Sequence, residues 1–457
     1  MVYIILIFSI LILFLVRLVS DKFSRIVIYL AVVLWLLWVF LSALQLYDFF
    51  AIRDITYLYF FTSILMFVLG ALSLNSLFRR TSFKKWNSSD LSYNIFDVEF
   101  ITQCRLFKYT FLISFAEILY LAITQWQVIV LQGSIGSLKV SMFELVFHNN
   151  SILYFIYQAI GFPVFHLVMV LESILILQNK KNWLRILLFG AYILTFCFVG
   201  AKRGYYSQFL IYFIIIFIFK YKQLINRSIS ERIKKKSVVV IGLIFGVTFL
   251  GASVTTSMYS PDGDGDVNEA SKDLFRQVVS YQVAPLIAFD KAVDNNYLSK
   301  IGGYQFGRAT LGGAVDYYGC SILSMIGVKI RQVRDITMEP LQNDFIYVGT
   351  DNTMNFAYTS LIYFYFDLGF FGIIIFSFLF GFIVRYSVYY LKLTKTLGAL
   401  LLVTFMCYSC QLFFSSWINI ALYTQFVILY AFVLSKIEEK HRRIICSQSN
   451  EIGSQVL

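Results

Sequence analysis

Residues 24–46 of the chain read SRIVIYLAVVLWLLWVFLSALQL, and Arg25 is the single charged side chain among them. A helix of about 20 such residues is long enough to cross the hydrocarbon core of a lipid bilayer. Comparable stretches recur throughout the 457 residues, of which 59% are hydrophobic and 14% are charged. Soluble domains carry roughly 25% charged residues, so this chain has too little polar surface to fold in water. The sequence therefore predicts an all-α polytopic membrane protein.

We expect about eleven transmembrane helices at roughly 20 residues per crossing. The stretches are 2–19, 24–46, 55–77, 105–126, 151–177, 185–200, 204–220, 237–257, 355–384, 397–416 and 418–435. Those at 185–200 and 204–220 are short, whereas 355–384 is too long for one straight span and contains Asp367.

Basic residues in the connections orient these helices. By the span count, five basic clusters fall on one side of the membrane: Arg79, Arg80, Lys84 and Lys85; Lys180, Lys181 and Arg185; the seven Lys and Arg of 220–236; Arg385, Lys392 and Lys395; and Lys440, Arg442 and Arg443. Loops rich in Lys and Arg stay in the cytoplasm. We therefore expect an outside N-terminus and a cytoplasmic C-terminus. The same bias accounts for the net charge of +12 without a nucleic-acid partner.

The longest hydrophilic piece, residues 258–354, then lies on the outer face, between helices 8 and 9. Its twelve acidic and eight basic residues make it mildly acidic, and its apolar stretches at 275–293 and 316–328 predict helices that fold onto the bundle. The predicted organisation is thus 1–257 with helices 1–8, 258–354 as the loop domain, 355–438 with helices 9–11, and 439–457 as a cytoplasmic tail.

Cations on the outer face are candidate functional residues, because positive charge is disfavoured there. Lys202 and Arg203 lie in the short connection GAKRG (200–204). An arginine fork there suits the oxygens of a pyrophosphate-bearing lipid. The alternative is a cation that only extends into the lipid headgroups.

Arg276 and Arg308 are two further candidates in the outer loop. Each has a tyrosine and a glutamine nearby, a combination that binds sugars by ring stacking and hydrogen bonding. The two pairs are Tyr281-Gln282 and Tyr304-Gln305. The alternative is that both arginines form surface salt bridges.

Other polar features favour structural explanations. The segment Asp262–Asp273 imitates a calcium loop, but Val267 replaces the required glycine and Asp273 the usual glutamate, so we expect a flexible acidic loop and no metal. His166 is expected to be a hydrogen-bonded packing residue. Glu117 lies inside a span, where a carboxylate is costly; a pairing with Arg203 and a bond to a backbone carbonyl remain open. The absence of a Gly-Lys-Ser/Thr phosphate loop excludes an ATP-driven pump.

Two short motifs resemble a known family. The sequence NTMN (352–355), the apolar helix after it and DLGFFG (367–372) resemble the end of the large outer loop in Wzy-type oligosaccharide repeat-unit polymerases and the related O-antigen ligases. That family has 10–14 spans in a GT-C-like arrangement and an arginine beside the span before the loop, where Arg203 stands. Ligases carry His-Asn at the position of Met354-Asn355, so the missing base favours a polymerase.

The resemblance implies that a glycan on undecaprenyl diphosphate is transferred to the non-reducing end of a new lipid-linked repeat unit. The site would face outward from the plasma (inner) membrane of a bacterium. Arg203 and either Arg276 or Arg308 would stabilise the leaving diphosphate, with no metal, nucleotide or other cofactor. One of three carboxylates would deprotonate the acceptor: Asp316, Asp351 or Asp367. Lys202, Asn355 and the Tyr-Gln pairs would contact substrate. Membrane lipid, a chain-length regulator and a flippase are the other expected partners.

Three alternatives remain from the sequence. An O-antigen ligase shares the donor chemistry and differs in acceptor. A flippase or other transporter of lipid-linked sugars would be expected to keep charges at the membrane midplane and to have short loops. A membrane acyltransferase would require an intramembrane histidine, for which His166 is an isolated candidate.

Overall fold

The structure is a computed structural model, and it describes most of the apolar stretches. The described residues are 1–76, 98–132, 151–178, 183–200, 208–217, 267–328, 330–333, 335–337, 341, 346–350, 353–354, 359–413 and 422–455.

These residues are mainly helical. The helices are α1 (Val2–Arg17), α2 (Lys22–Ala43), α3 (Asp54–Ser73), α4 (Val98–Gln103), α5 (Arg105–Gln132), α6 (Ser151–Ile156), α7 (Phe162–Gln178), α8 (Trp183–Gly200), α9 (Gln208–Phe217), α10 (Val267–Asp294), α11 (Tyr297–Lys300), α12 (Arg308–Leu311), α13 (Gly313–Met325), α14 (Leu361–Thr394), α15 (Leu397–Leu412) and α16 (Leu422–Gln455). A π-helical turn, Tyr157–Gly161, joins α6 to α7. Strands β1 (Ile346–Tyr347) and β2 (Thr353–Met354) pair antiparallel.

Five described helical segments are long and apolar enough to cross a bilayer: Lys22–Ala43, Asp54–Ser73, Arg105–Gln127, Ile152–Leu177 and Leu361–Thr394. Four others are apolar but shorter: Val2–Arg17, Trp183–Val199, Gln208–Phe217 and Leu397–Gln411. Ten of the eleven predicted stretches coincide with a helix in the described residues, and 237–257 lies outside them. The prediction of an all-α, membrane-embedded chain is confirmed.

The chain divides into two compact units, each assembled from several stretches of the sequence. Unit 1 comprises Met1–Lys84, Asp266–Tyr389 and Ser409–Gln425. Unit 2 comprises Lys85–Gly265, Tyr390–Tyr408 and Phe426–Leu457. The predicted outer loop, 258–354, thus contributes its described helices α10 to α13 to the same unit as α1, α2 and α3.

Helices α3 and α14 pack side by side in unit 1 and run in the same direction. Ser63 bonds Ser377 through their hydroxyls at 2.9 Å. A side chain on Gly70 would meet the carbonyl oxygen of Phe378, and one on Gly381 would meet that of Phe67. The predicted span order gives the same parallel arrangement, because α3 and α14 correspond to its third and ninth stretches. The two glycines allow the backbones to approach closely, as small residues do between membrane helices.

Trp35 of α2 is the largest fully buried side chain of unit 1. Its indole Nε1 donates to the carbonyl oxygen of Cys410 at 2.7 Å. Its ring stacks on Phe413 with centroids 4.7 Å apart and meets Phe67 edge-on at 4.6 Å. A buried indole nearly always has a hydrogen-bond partner, so this contact fixes the end of α15 against α2.

Arg385 differs from its predicted place in a loop, because it lies inside α14 and is fully buried. Its guanidinium donates to the carbonyl oxygen of Ala71, in the last turn of α3, and to Ser20 Oγ at 2.8 Å. A cation at a helix C-terminus satisfies carbonyls that have no partner within the helix. Arg385 therefore joins α14 to α3 and to the connection between α1 and α2.

In unit 2 the predicted cytoplasmic tail is the continuation of α16. Glu438 is buried and accepts hydrogen bonds from the backbone amides of Leu397 and Gly398 at 2.8 and 2.9 Å. One turn later, Arg442 donates to the carbonyl oxygens of Thr394 and Lys395. The pair therefore satisfies both the end of α14 and the start of α15, which explains why the helix does not stop at the membrane boundary predicted near 438.

Substitution of the glycines between α3 and α14 should destabilise the protein. We expect Gly70→Ala and Gly381→Ala each to cost about 1–3 kcal/mol, because the new methyl group meets a backbone carbonyl that cannot move freely. Thermal unfolding of the purified protein in detergent measures this loss.

Gly319→Ala is the matched control, because Gly319 lies in the interior of α13 with no atom within 4 Å of the added carbon. Alanine should be neutral there or stabilising by about 0.5–1 kcal/mol. Equal effects at all three positions would contradict the close packing of α3 and α14.

Candidate functional site

The N-terminal part of α14 is broken at Leu368 and Gly369. Gly369 has a φ of +61°, and a side chain there would lie 3.0 Å from the hydroxyl of Tyr304. The break frees backbone carbonyls inside an apolar helix, where they need another partner. The backbone amide of Gln305 donates to the carbonyl oxygen of Phe366 at 2.9 Å. The backbone amide of Phe306 donates to the backbone carbonyl oxygen of Asp367 at 3.2 Å. We call residues 301–312, which supply these amides, the Arg308 segment.

Asp367, at the break, is fully buried. Its Oδ1 accepts from the amide of Ala309 at 2.9 Å, and its Oδ2 accepts from the amide of Thr310 at 2.8 Å. The carboxylate thus holds the short helix α12 in place through charge-assisted bonds. The role predicted for Asp367 as a base stays a prediction, but its observed contacts are those of a residue that positions the Arg308 segment.

Arg308 forms a salt bridge with Asp316, Nη2 to Oδ1 at 2.8 Å. A salt bridge was the alternative to a functional role that the sequence left open for Arg308. The arginine side chain remains 40% exposed while the carboxylate is 9% exposed. Asp316 also accepts from the amide of Val333 at 2.7 Å, so its second oxygen is engaged. Burial, and then the neighbouring Asp316, raise the pKa of the Cys320 thiol, which favours the protonated thiol beside this pair.

Aromatic rings surround the Arg308 segment. Tyr304 is 49% exposed and Phe306 77% exposed, with ring centroids 6.5 Å apart. Tyr59 of α3 lies 6.1 Å from Tyr365 and 5.5 Å from Phe370 by ring centroids. Exposed ring faces beside a partly exposed guanidinium can stack on a sugar while the cation binds an oxyanion.

Arg53 is a polar residue of this region that the sequence patterns do not reveal. It precedes α3 and binds Asp290 through Nε at 2.9 Å, and it also pairs with Asp294. Asp290 is 1% exposed and accepts from the hydroxyl of Thr56 as well. This network ties the end of α10 to the start of α3. No local signal identifies it, because 237 residues separate Arg53 from Asp290.

The hairpin of β1 and β2 contains two residues of the sequence NTMN (352–355). Thr353 and Met354 form β2, paired with Tyr347 and Ile346. The strand connection also meets the loop before α3, where the amide of Phe50 donates to the carbonyl oxygen of Val348 at 2.9 Å. Asp351 and Asn355 lie outside the described residues.

The structure brings together five of the predicted site residues: Tyr304, Gln305, Arg308, Asp316 and Asp367. Gln282 lies on α10, and among the described residues its buried Oε1 has no hydrogen-bond partner. Arg276 and Tyr281 also belong to α10, but their side chains, like all of Lys202 and Arg203, lie outside what is described. Among the described residues, no group of three or more His, Cys, Asp or Glu is arranged to hold a metal ion.

The apolar helices define the class of the protein, an all-α protein embedded in a membrane. No protein-family model, curated protein or solved structure matches the chain.

Asp367→Asn should destabilise unit 1 and loosen the Arg308 segment. The amide keeps the shape of the carboxylate but turns an NH₂ group toward a backbone N–H, and loss of a buried charge-assisted bond costs roughly 1.5–3 kcal/mol. Thermal unfolding and limited proteolysis within 301–312 measure the two effects. Glu439→Gln is the control: it removes a salt bridge to Lys436, whose side chain is 68% exposed, so the loss should be far smaller than in Asp367→Asn. Equal losses in the two variants would contradict the positioning role.

Proposed function

We propose that this protein is a glycosyltransferase that polymerises lipid-linked oligosaccharide repeat units. The observation that carries the proposal is the geometry of Arg308. Its Nε and Nη2 bond Asp316, and Nη2 also donates to the carbonyl oxygen of Arg331 at 3.1 Å, whereas no acceptor among the described residues engages Nη1. A partly exposed guanidinium whose Nη1 is left for a ligand, in the same segment as the exposed rings of Tyr304 and Phe306, suits a ligand that carries both phosphate and sugar.

The chemistry requires little beyond such a cation. The donor glycan leaves undecaprenyl diphosphate, which is already a good leaving group, so stabilisation of its developing charge lowers the barrier more than strong acid catalysis does. Arg308 would supply this stabilisation. Asp316, bonded to Arg308, and Asp351 are the two candidate bases besides Asp367. Tyr304 and Gln305 would bind the sugar of the incoming lipid-linked repeat unit. No cofactor has a role in this scheme.

The proposed site faces outward from a bacterial plasma membrane, and the charges of unit 1 agree with the outward orientation. Two arginines lie at the end of unit 1 opposite the break in α14. Arg385 donates to Ser20 there, and Arg25 donates to the carbonyl oxygen of Val19. The positive-inside rule would place that arginine-rich end in the cytoplasm. The Arg308 segment would then lie at the outer surface, where lipid-linked repeat units are polymerised.

A transporter of lipid-linked sugars is the second candidate. It is favoured by the buried carboxyl groups of Glu117 and Glu172 inside the helices of unit 2, because ionisable residues within the membrane often line transport pathways. An acyltransferase is less well supported, since the His166 ring is engaged. Its Nδ1 lies 2.7 Å from the hydroxyl of Tyr212 and 2.8 Å from Nε2 of Gln208. A ligase remains the alternative with the same donor.

The orientation predicts distinct labelling of two exposed positions of unit 1. In a variant lacking the six native cysteines, Phe306→Cys should react with a membrane-impermeant maleimide on intact cells. Lys22→Cys, at the other end of the unit, should react only after the membrane is opened. The reverse pattern would contradict an outer active site, while reaction of both positions in intact cells would contradict a transmembrane arrangement of unit 1.

Polymerisation should depend on Arg308. Purified protein incubated with a synthetic undecaprenyl-diphosphate-linked repeat unit should yield a ladder of products. Loss of a charge-assisted contact worth roughly 1.5–3 kcal/mol should slow the ladder about 10–150-fold in Arg308→Ala. Arg308→Lys should retain more activity, because it keeps the charge and loses the fork.

Lys300→Ala is the control, because the exposed ammonium of Lys300 lies over the ring of Tyr297 at 4.2 Å and not in the site. In the same assay Arg203→Ala should abolish formation of the product ladder, and Arg203→Lys should retain a little of this activity. Lys202→Ala should lose less activity than Arg203→Ala. No ladder from the well-folded wild type would refute the polymerase. A normal ladder from Arg308→Ala would remove this arginine from the site.

A further inference from the structure

Glu117 lies in the middle of α5 and has no role in the proposed polymerase site. It is 6% exposed, and neither carboxyl oxygen has a hydrogen-bond partner among the described residues. It is twelve residues from the start of α5, about 18 Å along the helix. That distance places it near the middle of a hydrocarbon core about 30 Å thick.

The group faces an irregular piece of backbone. The π-helical turn Tyr157–Gly161 packs against α5, and Glu117 Oε2 lies 3.5 Å from the position that a side chain on Gly161 would occupy. Single π-helical turns inside α-helices occur frequently at functional sites. The glycine leaves the space that the carboxyl group fills.

The described residues around Glu117 offer no positive charge. Tyr192 of α8 is close enough to interact with it electrostatically, and Tyr157 and Tyr430 lie near Tyr192 in turn. The titratable residues of α7 are His166, held by Tyr212 and Gln208, and Glu172, beside Gly190. An ionised carboxylate among such neighbours would lack both a counter-ion and a donor, which is costly away from water.

We propose that Glu117 is an intramembrane proton-binding site, which carries its proton while it lies against the π-helical turn. In alkaline solution the proton can pass to hydroxide, giving water, when a hydrogen-bond donor reaches the carboxylate that remains. The Tyr192 hydroxyl, which interacts electrostatically with Glu117, can be this donor: it lies 2.5 Å from Ser114 Oγ and donates to the carbonyl oxygen of Gly161 at 3.4 Å. Rotation of this hydroxyl would exchange the Gly161 carbonyl for the Glu117 carboxylate.

Glu438 provides a matched comparison within the same unit. It is equally buried, at 3% exposure, but it accepts two backbone N–H bonds and faces Arg442 across 3.9 Å. These contacts stabilise the ionised form. Burial is thus common to Glu117 and Glu438, and the hydrogen-bond environment distinguishes them.

Infrared difference spectroscopy of the full chain in lipid nanodiscs tests the proposal. At neutral pH, Glu117→Gln should lack one C=O stretching band of a protonated carboxylic acid that the wild type shows. Glu438→Gln should lose carboxylate intensity and no carboxylic acid band. In the wild type, the Glu117 band should disappear reversibly in alkaline buffer.

Glu117→Asp keeps the experiment decisive if the glutamine variant does not fold, because it should shift the band without removing it. Absence of any band that responds to substitution of Glu117 would overturn the proposal. A band that persists unchanged at alkaline pH would also overturn it, since a site that never releases its proton only fills space.

Discussion

The constraint on which unit 1 depends is that backbone groups away from water must be paired. Helix α14 breaks at Leu368–Gly369, and the carbonyls freed there are taken up by amides of the Arg308 segment. Asp367 completes the exchange by accepting from two further amides of the same segment. A polar turn is thereby held to an apolar helix by four directional bonds, and the guanidinium of Arg308 is fixed as a consequence.

The same constraint explains the positions of three further charged residues. Arg385 bonds a terminal carbonyl of α3, and Glu438 and Arg442 bond the backbone on the two sides of the turn between α14 and α15. Each charge is compensated by the helix end that it meets, since amides at an N-terminus favour anions and carbonyls at a C-terminus favour cations. These residues are costly to bury alone and stabilising where they are found.

The helices could be predicted from the sequence, and their partners could not. Apolar length located α2, α3 and α5 because a bilayer imposes that length whatever the tertiary fold. The sequence also indicated that Tyr304 and Arg308 belong to one polar region, since they are four residues apart. It did not indicate that Asp367 holds this region, nor that Arg53 pairs with Asp290. Those contacts depend on which distant helices become neighbours, and an isolated aspartate in an apolar stretch suits a base and a backbone ligand equally well.

Buried carboxyl groups in this chain fall into two kinds, and the difference bears on function. Asp367 and Glu438 each accept bonds from two backbone amides, so their charge is part of the architecture and their removal should first affect stability. Glu117 has no such bonds in the part of the chain that the structure describes, so none of the observed contacts offsets the cost of burying it. A protein gains nothing in stability from an unpaired acid at the centre of a membrane helix. Its presence beside a π-helical turn is therefore better explained by a function of unit 2, separate from the Arg308 segment of unit 1.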